Sequence, residues 1–386
     1  MKITPIKMVS ILGGSLLMSG CGYTQDHNMQ NTNITTKNST PHFLTESYNF
    51  ANFSKPLFQS MLLDKADWQA LRQQPEAYPQ QTQALLRSCQ DNLDRDAQPV
   101  AILDVQPHYN NEGVNEQGRA AAKQLANDGW LSYRAALCYQ LTGNKRYAKQ
   151  SQQILDAWAT TLKQVKGRQA KADINFDLPS FIMAGYWVQG VNDWDDSHWR
   201  TFLRDIILPQ SAANDSDNNH GNWGVLLNTS MAVYLQDKNL LDKSYQRWQA
   251  LLQSQISDKG VFTKEICRSD SNNYCGGETK GINGISYTHY AMLPTSITAQ
   301  IFAQQGKPVW HSPAGKLLGK AYQQTAIWTQ SPSQFPYYQR NNGKLNGVRN
   351  GAYFVILQRH YPNEAGANAI KQGDLKMDGF QLLSLF

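Results

Sequence analysis

Asn219 and His220 lie side by side in the segment Asn218-Asn219-His220-Gly221-Asn222-Trp223, and Tyr287 opens Tyr287-Thr288-His289-Tyr290-Ala291, with Arg268 between the two segments. An amide, an imidazole, a guanidinium and a phenol form the set needed to take a proton from a carbon beside a carboxylate. Removing that proton from a carboxylate anion builds dianionic, enolate-like charge, which fixed donors must offset. Such donors supply about 3 kcal/mol each by comparison with an oxyanion hole. Asn219 offers an amide N–H and Arg268 a permanent cation with paired donors. His220 is a further donor or a base, and Tyr287 a carrier of protons. The chemistry this set suits is elimination on an acidic sugar.

Helices must position these groups. The run Asn214 to Asn222 is too polar for a helix interior and leads into an apolar helix from Trp223, which places Asn219 and His220 at a helix entrance. A cap at Asp217 or Asn218 would explain one residue of this run but not the cluster. Apolar periodicity predicts helix pairs at Ala120–Leu141 with Lys145–Leu162, Phe181–Gly190 with His198–Leu208, Trp223–Leu235 with Leu240–Ile256, and Tyr287–Gln304 with Ala314–Thr329. A last helix is expected near Val348–His360. Strand-type alternation is scarce. The expected class is all-α, an incomplete (α/α) toroid of antiparallel helix hairpins whose rim loops converge on a central substrate groove.

The N-terminal residues set a compartment. Lys2 and Lys7 precede a short apolar stretch, Met8 to Met18, too short to span a bilayer as a mature helix. Met18-Ser19-Gly20-Cys21 resembles the lipobox of bacterial lipoproteins, which implies a lipid-modified Cys21 as the first mature residue. Residues 1–21 are thus expected to be a lipoprotein signal peptide together with its lipobox cysteine, cleaved ahead of Cys21. Residues 22–42, rich in Asn, Thr, Gln and Ser, read as a polar tether, and 43–386 as one domain. Gly22 after the cysteine favours outer-membrane retention. In an oxidising envelope the other four cysteines permit three pairings. Cys267 with Cys275 closes a short loop and is the preferred pair, leaving Cys89 with Cys138. No spacing typical of metal ligands accompanies them.

With 36 Lys+Arg against 30 Asp+Glu the formal net charge is +6, which suits an anionic partner without specifying one. The expected compartment disfavours nucleic acid. Ten Trp and 18 Tyr supply flat faces that can stack on sugars, although most belong in the core. Trp130 and Trp187 lie on helical stripes where packing is the default.

Asn-Asn-His-Gly-Asn-Trp at 218–223 resembles the Asn-Asn-His-x-x-Trp motif of the periplasmic alginate (mannuronate) lyases of polysaccharide lyase family 5 and their wider alginate-lyase domain relatives. Gly260 to Arg268 is similar to the family pattern ending in Glu-x-x-Arg, and Tyr287 to Met292 to its third block. Gln106 to Gly113 resembles the lid segment, with Tyr109 at the lid tyrosine and His108 in place of the lid lysine. The resemblance implies the toroid fold, no cofactor, and Asn219, His220, Arg268 and Tyr287 as catalytic residues. It departs at Ser269–Ile285, a polar insert containing Cys275, where the family has only a few residues. Lys280, at the family's spacing from Tyr287, is the rival cation to Arg268. His108, Tyr109, Trp223, Lys280 and Arg349 are candidate substrate-binding residues. Trp223 either stacks on sugar or braces the His220 loop, and His289 is expected at the rim or in the core.

In a 4-linked uronate the C6 carboxylate acidifies the C5 hydrogen. If that hydrogen and the leaving O4 share a face, as in mannuronate, Tyr287 can serve as base and then acid. A neighbouring Arg268 would favour its phenolate. With opposite faces, as in guluronate or glucuronate, His220 is the base and Tyr287 the acid. Two other classes compete. A glycoside hydrolase needs two opposed carboxylates, for which Asp193, Asp195, Asp196, Glu265 and Asp270 are the candidates. A lipid-anchored polysaccharide-binding protein would use the aromatic residues and not Tyr287. A monomer acting on an anionic polysaccharide is expected.

Overall fold

In the computed structural model the described residues are 61–63, 67–69, 72, 79–107, 115–270, 274–347 and 351–372. The signal, the tether, Cys21, His108, Tyr109 and Arg349 lie outside them.

After a first helix α1 (Pro79–Asp91), the chain alternates between two layers. The inner helices are α2 (Glu116–Thr142), α4 (Arg168–Val188), α6 (Asn219–Leu235) and α8 (Gly284–Gln304). The outer helices are α3 (Lys145–Thr161), α5 (Ser197–Phe202), α7 (Lys238–Gln255) and α9 (Pro313–Gln330), followed by α10 (Tyr353–His360) and α11 (Glu364–Gln372). Each inner helix packs on the next, α2 on α4, α4 on α6 and α6 on α8, and α8 also packs on α10. The expected (α/α) toroid is the fold observed.

Composition explains the layering. Helices α6 and α8 are apolar nearly all round, with every residue of α8 from Gly284 to Phe302 buried except Tyr290, as a helix enclosed on both sides must be. Outer α7 instead buries one stripe, Leu241, Ser244, Trp248, Leu251, Leu252 and Gln255, and leaves the other face to water. Short polar turns start these helices. Asn115, Asn144, Asn218, Asp237 and Ser312 each accept a hydrogen bond from a first-turn backbone N–H. A two-stranded parallel ribbon, β1 (Ile102–Asp104) with β2 (Gln164–Lys166), joins the segments that lead into α2 and α4.

Both disulfides form as expected, Cys89–Cys138 tying α1 to α2 and Cys267–Cys275 closing the start of the insert.

Helix starts differ from expectation. Helix α4 begins at Arg168 rather than Phe181 and runs through Pro179. The expected His198–Leu208 helix is α-helical only over Ser197–Phe202 and then loosens into a π turn, Leu203–Ile207, and a 3-10 turn, Leu208–Gln210. The last expected helix, near Val348–His360, is helical over Tyr353–His360 among the described residues, and Val348 lies outside them. Helix α6 begins four residues before Trp223, so Asn219 and His220 occupy its first turn rather than a loop ahead of it.

Candidate active site

Asn218 fixes the start of α6: its Oδ1 accepts from the His220 backbone N–H at 3.0 Å. Gly221 permits the close approach of the preceding loop, since a Cβ there would lie 2.1 Å from the Ser216 carbonyl oxygen. That loop is held from outside by Arg247, which donates to the carbonyls of Ala213 and Ser216 at 2.7 and 3.0 Å. Asn222 donates to Thr295 Oγ1 at 2.9 Å and so locks α6 to α8.

Glu265 lies beneath this turn. It is 1% exposed, and its Oε1 accepts from both the backbone N–H and the side-chain Nδ2 of Asn219, at 2.7 and 2.8 Å. A carboxylate can only accept, so the amide must turn its nitrogen toward Glu265. Glu265 thereby sets the orientation of Asn219, and as an anion it also favours the charged form of Arg268.

Arg268 and Tyr287 meet despite the insert between them, because its two ends are stitched together. Gly281 N–H donates to the Cys267 carbonyl at 3.0 Å, Asn283 N–H to the Arg268 carbonyl at 3.0 Å, and Asn283 Nδ2 to the Ser269 carbonyl at 2.9 Å. Asn283 immediately precedes α8, and its carbonyl accepts from Tyr287 N–H at 2.9 Å. The Arg268 guanidinium carbon sits 4.0 Å from the centre of the Tyr287 ring and hydrogen-bonds with that residue. Burial alone would lower the Arg268 pKa, but Tyr287 and Glu265 outweigh it and hold the guanidinium above its ordinary value. Its buried Nε has no hydrogen-bond partner among the described residues, a donor awaiting an acceptor.

His220 completes the set. Its ring packs on Phe176 of α4 at 5.5 Å between centroids, and Phe176 in turn meets Trp223 at 5.5 Å and Tyr290 at 5.3 Å. Burial, then the charges of Arg268 and Arg168, push the His220 pKa down to about 4. The imidazole is neutral at physiological pH, able either to accept a proton or to donate a neutral hydrogen bond. Tyr287 is 2% exposed, with Tyr290 edge-on at 6.3 Å.

The alginate lyase family model matches residues 59–335, well over half of the chain. The chain belongs to the alginate lyase family. It is therefore a polysaccharide lyase enzyme. Similar solved structures include alginate lyase A1-III from Sphingomonas species A1, with a TM-score of 0.61 and 16% identity over 77% of this chain and 88% of that one. Another is an alginate lyase from Bacteroides ovatus, at 0.63 and 14% over 86% of this chain and 100% of that one. A tyrosine-to-phenylalanine variant of A1-III complexed with a tetrasaccharide matches at 0.63 and 16%, over 83% and 94%. Among curated proteins none matches in sequence.

In this alginate lyase family member the four expected catalytic side chains gather at one rim, from the first turns of α6 and α8 and the strap before α8. The two cations part company: Lys280 faces Tyr337, 5.8 Å from its ring centre, while Arg268 covers Tyr287. Trp223 is 4% exposed and packs on Phe176 and Tyr290, the bracing position of the two expected for it. His289 is core, bonded to Tyr353 Oη at 2.8 Å and Thr329 Oγ1 at 3.1 Å. Trp187 is buried, and Trp130 is half-buried against Tyr133. The sequence alone does not single out Phe176, Tyr290 or Tyr274, and it offers Glu265 as a motif position and a hydrolase carboxylate rather than as the partner of Asn219. The spacing Glu-x-x-Arg was the one signal that could have linked Glu265 to Arg268.

Proposed function

We propose that this lyase cleaves 4-linked polyuronates, alginate foremost, by β-elimination, and that lipid on Cys21 holds it at the bacterial cell envelope. The anchor rests on the Ser19-Gly20-Cys21 sequence and the run before it. The observation that carries the catalytic reading is the Arg268 guanidinium on the ring of Tyr287, its Nε without a hydrogen-bond partner among the described residues, with a neutral His220 in the same set.

In the proposed reaction the C6 carboxylate is met by Arg268 and by the second amide N–H of Asn219, the first being held by Glu265. A base removes the C5 proton, the electron pair forms the C4=C5 bond, and the C4–O4 bond breaks with O4 taking a proton. On mannuronate, ionised Tyr287 takes the C5 proton and passes it to O4. On guluronate or glucuronate, His220 takes the proton and Tyr287 gives its own to O4. The first turns of α6 and α8 contribute as well, since Asn219, His220 and Tyr287 sit at helix N-terminal ends, which favour an anion.

The hydrolase reading has little support. Asp196 is engaged by Arg200, Tyr234 and Gln189, and Glu265 by Asn219, so neither is poised across a glycosidic bond. The test is a panel of polymannuronate, polyguluronate and polyglucuronate, read by ultraviolet absorbance of the new double bond. Tyr287→Phe is expected to be silent on every polymer, because both routes use the phenol. His220→Ala is expected to keep mannuronate activity and lose the others. Turnover by Tyr287→Phe would overturn the assignment.

A further inference from the structure

Arg268 has a second aromatic neighbour that the elimination reaction does not require. Its guanidinium carbon lies 4.0 Å from the centre of the Tyr274 ring, the same distance as from Tyr287, so the cation is sandwiched between two phenols. Tyr274 belongs to the insert that departs from the family pattern, and among the described residues it is one of two large hydrophobics left exposed, at 41%. Something holds it in place at that exposure. Its Oη donates to the Lys264 carbonyl at 3.0 Å and accepts from Asn218 Nδ2 at 3.4 Å. Its own carbonyl accepts from Ser269 N–H at 3.2 Å, and the next residue is Cys275, bonded to Cys267. Cys267 directly precedes Arg268.

Tyr274 therefore bridges both catalytic segments. Through Asn218 it touches the cap of α6 that carries Asn219 and His220, and through its ring it presses on the cation that covers Tyr287. An arginine side chain has several rotatable bonds, and an unclamped guanidinium at a groove rim samples many positions. A ring on its outer face removes that freedom, shields the charge from water and adds a cation–π attraction.

We propose that Tyr274, fixed by the Cys267–Cys275 bridge, is a positioning residue that clamps Arg268 against Tyr287 for transition-state stabilisation. This rests on the reading of Arg268 as the carboxylate-neutralising cation. A clamp of this kind acts on the step in which charge develops, so its loss lowers kcat and leaves KM nearly unchanged. Tyr274 is not a rival proton carrier: burial and the Glu265 charge raise its pKa, and its hydroxyl proton is committed to Lys264.

The test compares the full chain with Tyr274→Phe, Tyr274→Ala and the Cys267→Ser/Cys275→Ser double variant. On a polyuronate that the parent cleaves, Tyr274→Ala is expected to lose about 10- to 100-fold in kcat, the scale of a small misplacement at a reacting centre, while Tyr274→Phe keeps activity within about threefold. The double variant is expected to fall in the same direction as Tyr274→Ala. A second readout needs no turnover: the Arg268 side-chain N–H resonance in the NMR spectrum, assigned with Arg268→Lys. Ring currents from two phenols should shift it upfield in the parent and in Tyr274→Phe, and it should move downfield in Tyr274→Ala. An unmoved resonance in Tyr274→Ala, or parental kcat in that variant, would overturn the clamp. Parental kcat in the double variant would overturn the role of the bridge. Should the parent cleave no polyuronate, the proposed reaction fails while the resonance still judges the clamp.

Discussion

A buried imidazole kept neutral, with the charges of two arginines acting on it, is the electrostatic peculiarity of this site, and it has a kinetic consequence. Burial, Arg268 and Arg168 lower the pKa of His220 to about 4, so the ring takes up a proton only below that pH and is a competent base or neutral donor above it. An ordinary histidine would instead lose base function near pH 6.5. The acid side of the kcat/KM profile on a polyuronate substrate whose cleavage needs His220 is therefore expected to stay flat from about pH 7 to about pH 5. An inflection near 6.5 in that profile would contradict the environment described. Asn219, His220, Arg268 and Tyr287 were legible because each carries distinctive chemistry in a short polar or aromatic motif. Glu265 was not legible as their organiser, because its contact with Asn219 joins residues far apart in the chain. Phe176 was invisible for a different reason: an aromatic on a helical stripe is ordinarily core, and only the fold shows that this one supports His220.

Two helix starts, α6 and α8, convert those residues into a site, and each depends on a glycine that lets backbone approach backbone. At Gly284 a Cβ would stand 2.1 Å from the Ile266 carbonyl oxygen and 2.5 Å from the Phe335 ring. The strap carrying Arg268 therefore sits directly against the turn that carries Tyr287. Gly284→Ala is expected to cost about 1–3 kcal/mol of stability through overpacking, and to reduce kcat by parting Arg268 from Tyr287. Gly347→Ala is the control, since a Cβ there meets nothing within 4 Å. Thermal melting and turnover of the two variants check this, and equal behaviour would refute it. The α6 start differs from expectation because the polar run before Trp223 belongs to the helix, not to a loop ahead of it. Asn218 caps the helix and Glu265 satisfies Asn219, so four polar-leaning residues join α6 at no cost in unpaired backbone. In α4 the helix runs from Arg168 through Pro179, well ahead of the apolar stretch that starts at Phe181.

At the scale of the molecule, alternation of all-round apolar helices with one-sided ones dictates a double layer, and that pattern was readable from hairpin periodicity alone. Inner helices separated by outer returns must run parallel, so their N-terminal ends collect at one rim and the reactive motifs with them. The net charge of +6 adds a weak long-range preference for an acidic polymer. What periodicity could not supply was the closure of the insert, which depends on Cys267–Cys275 and on Asn283 bonding backward to Arg268 and Ser269. The central claim is that this rim performs elimination, and its most direct test counts bonds. With polymannuronate and the full chain, each new reducing end is predicted to arrive with one unsaturated C4=C5 end, in equal numbers throughout the reaction. New reducing ends without matching unsaturation would mean hydrolysis and would contradict the account.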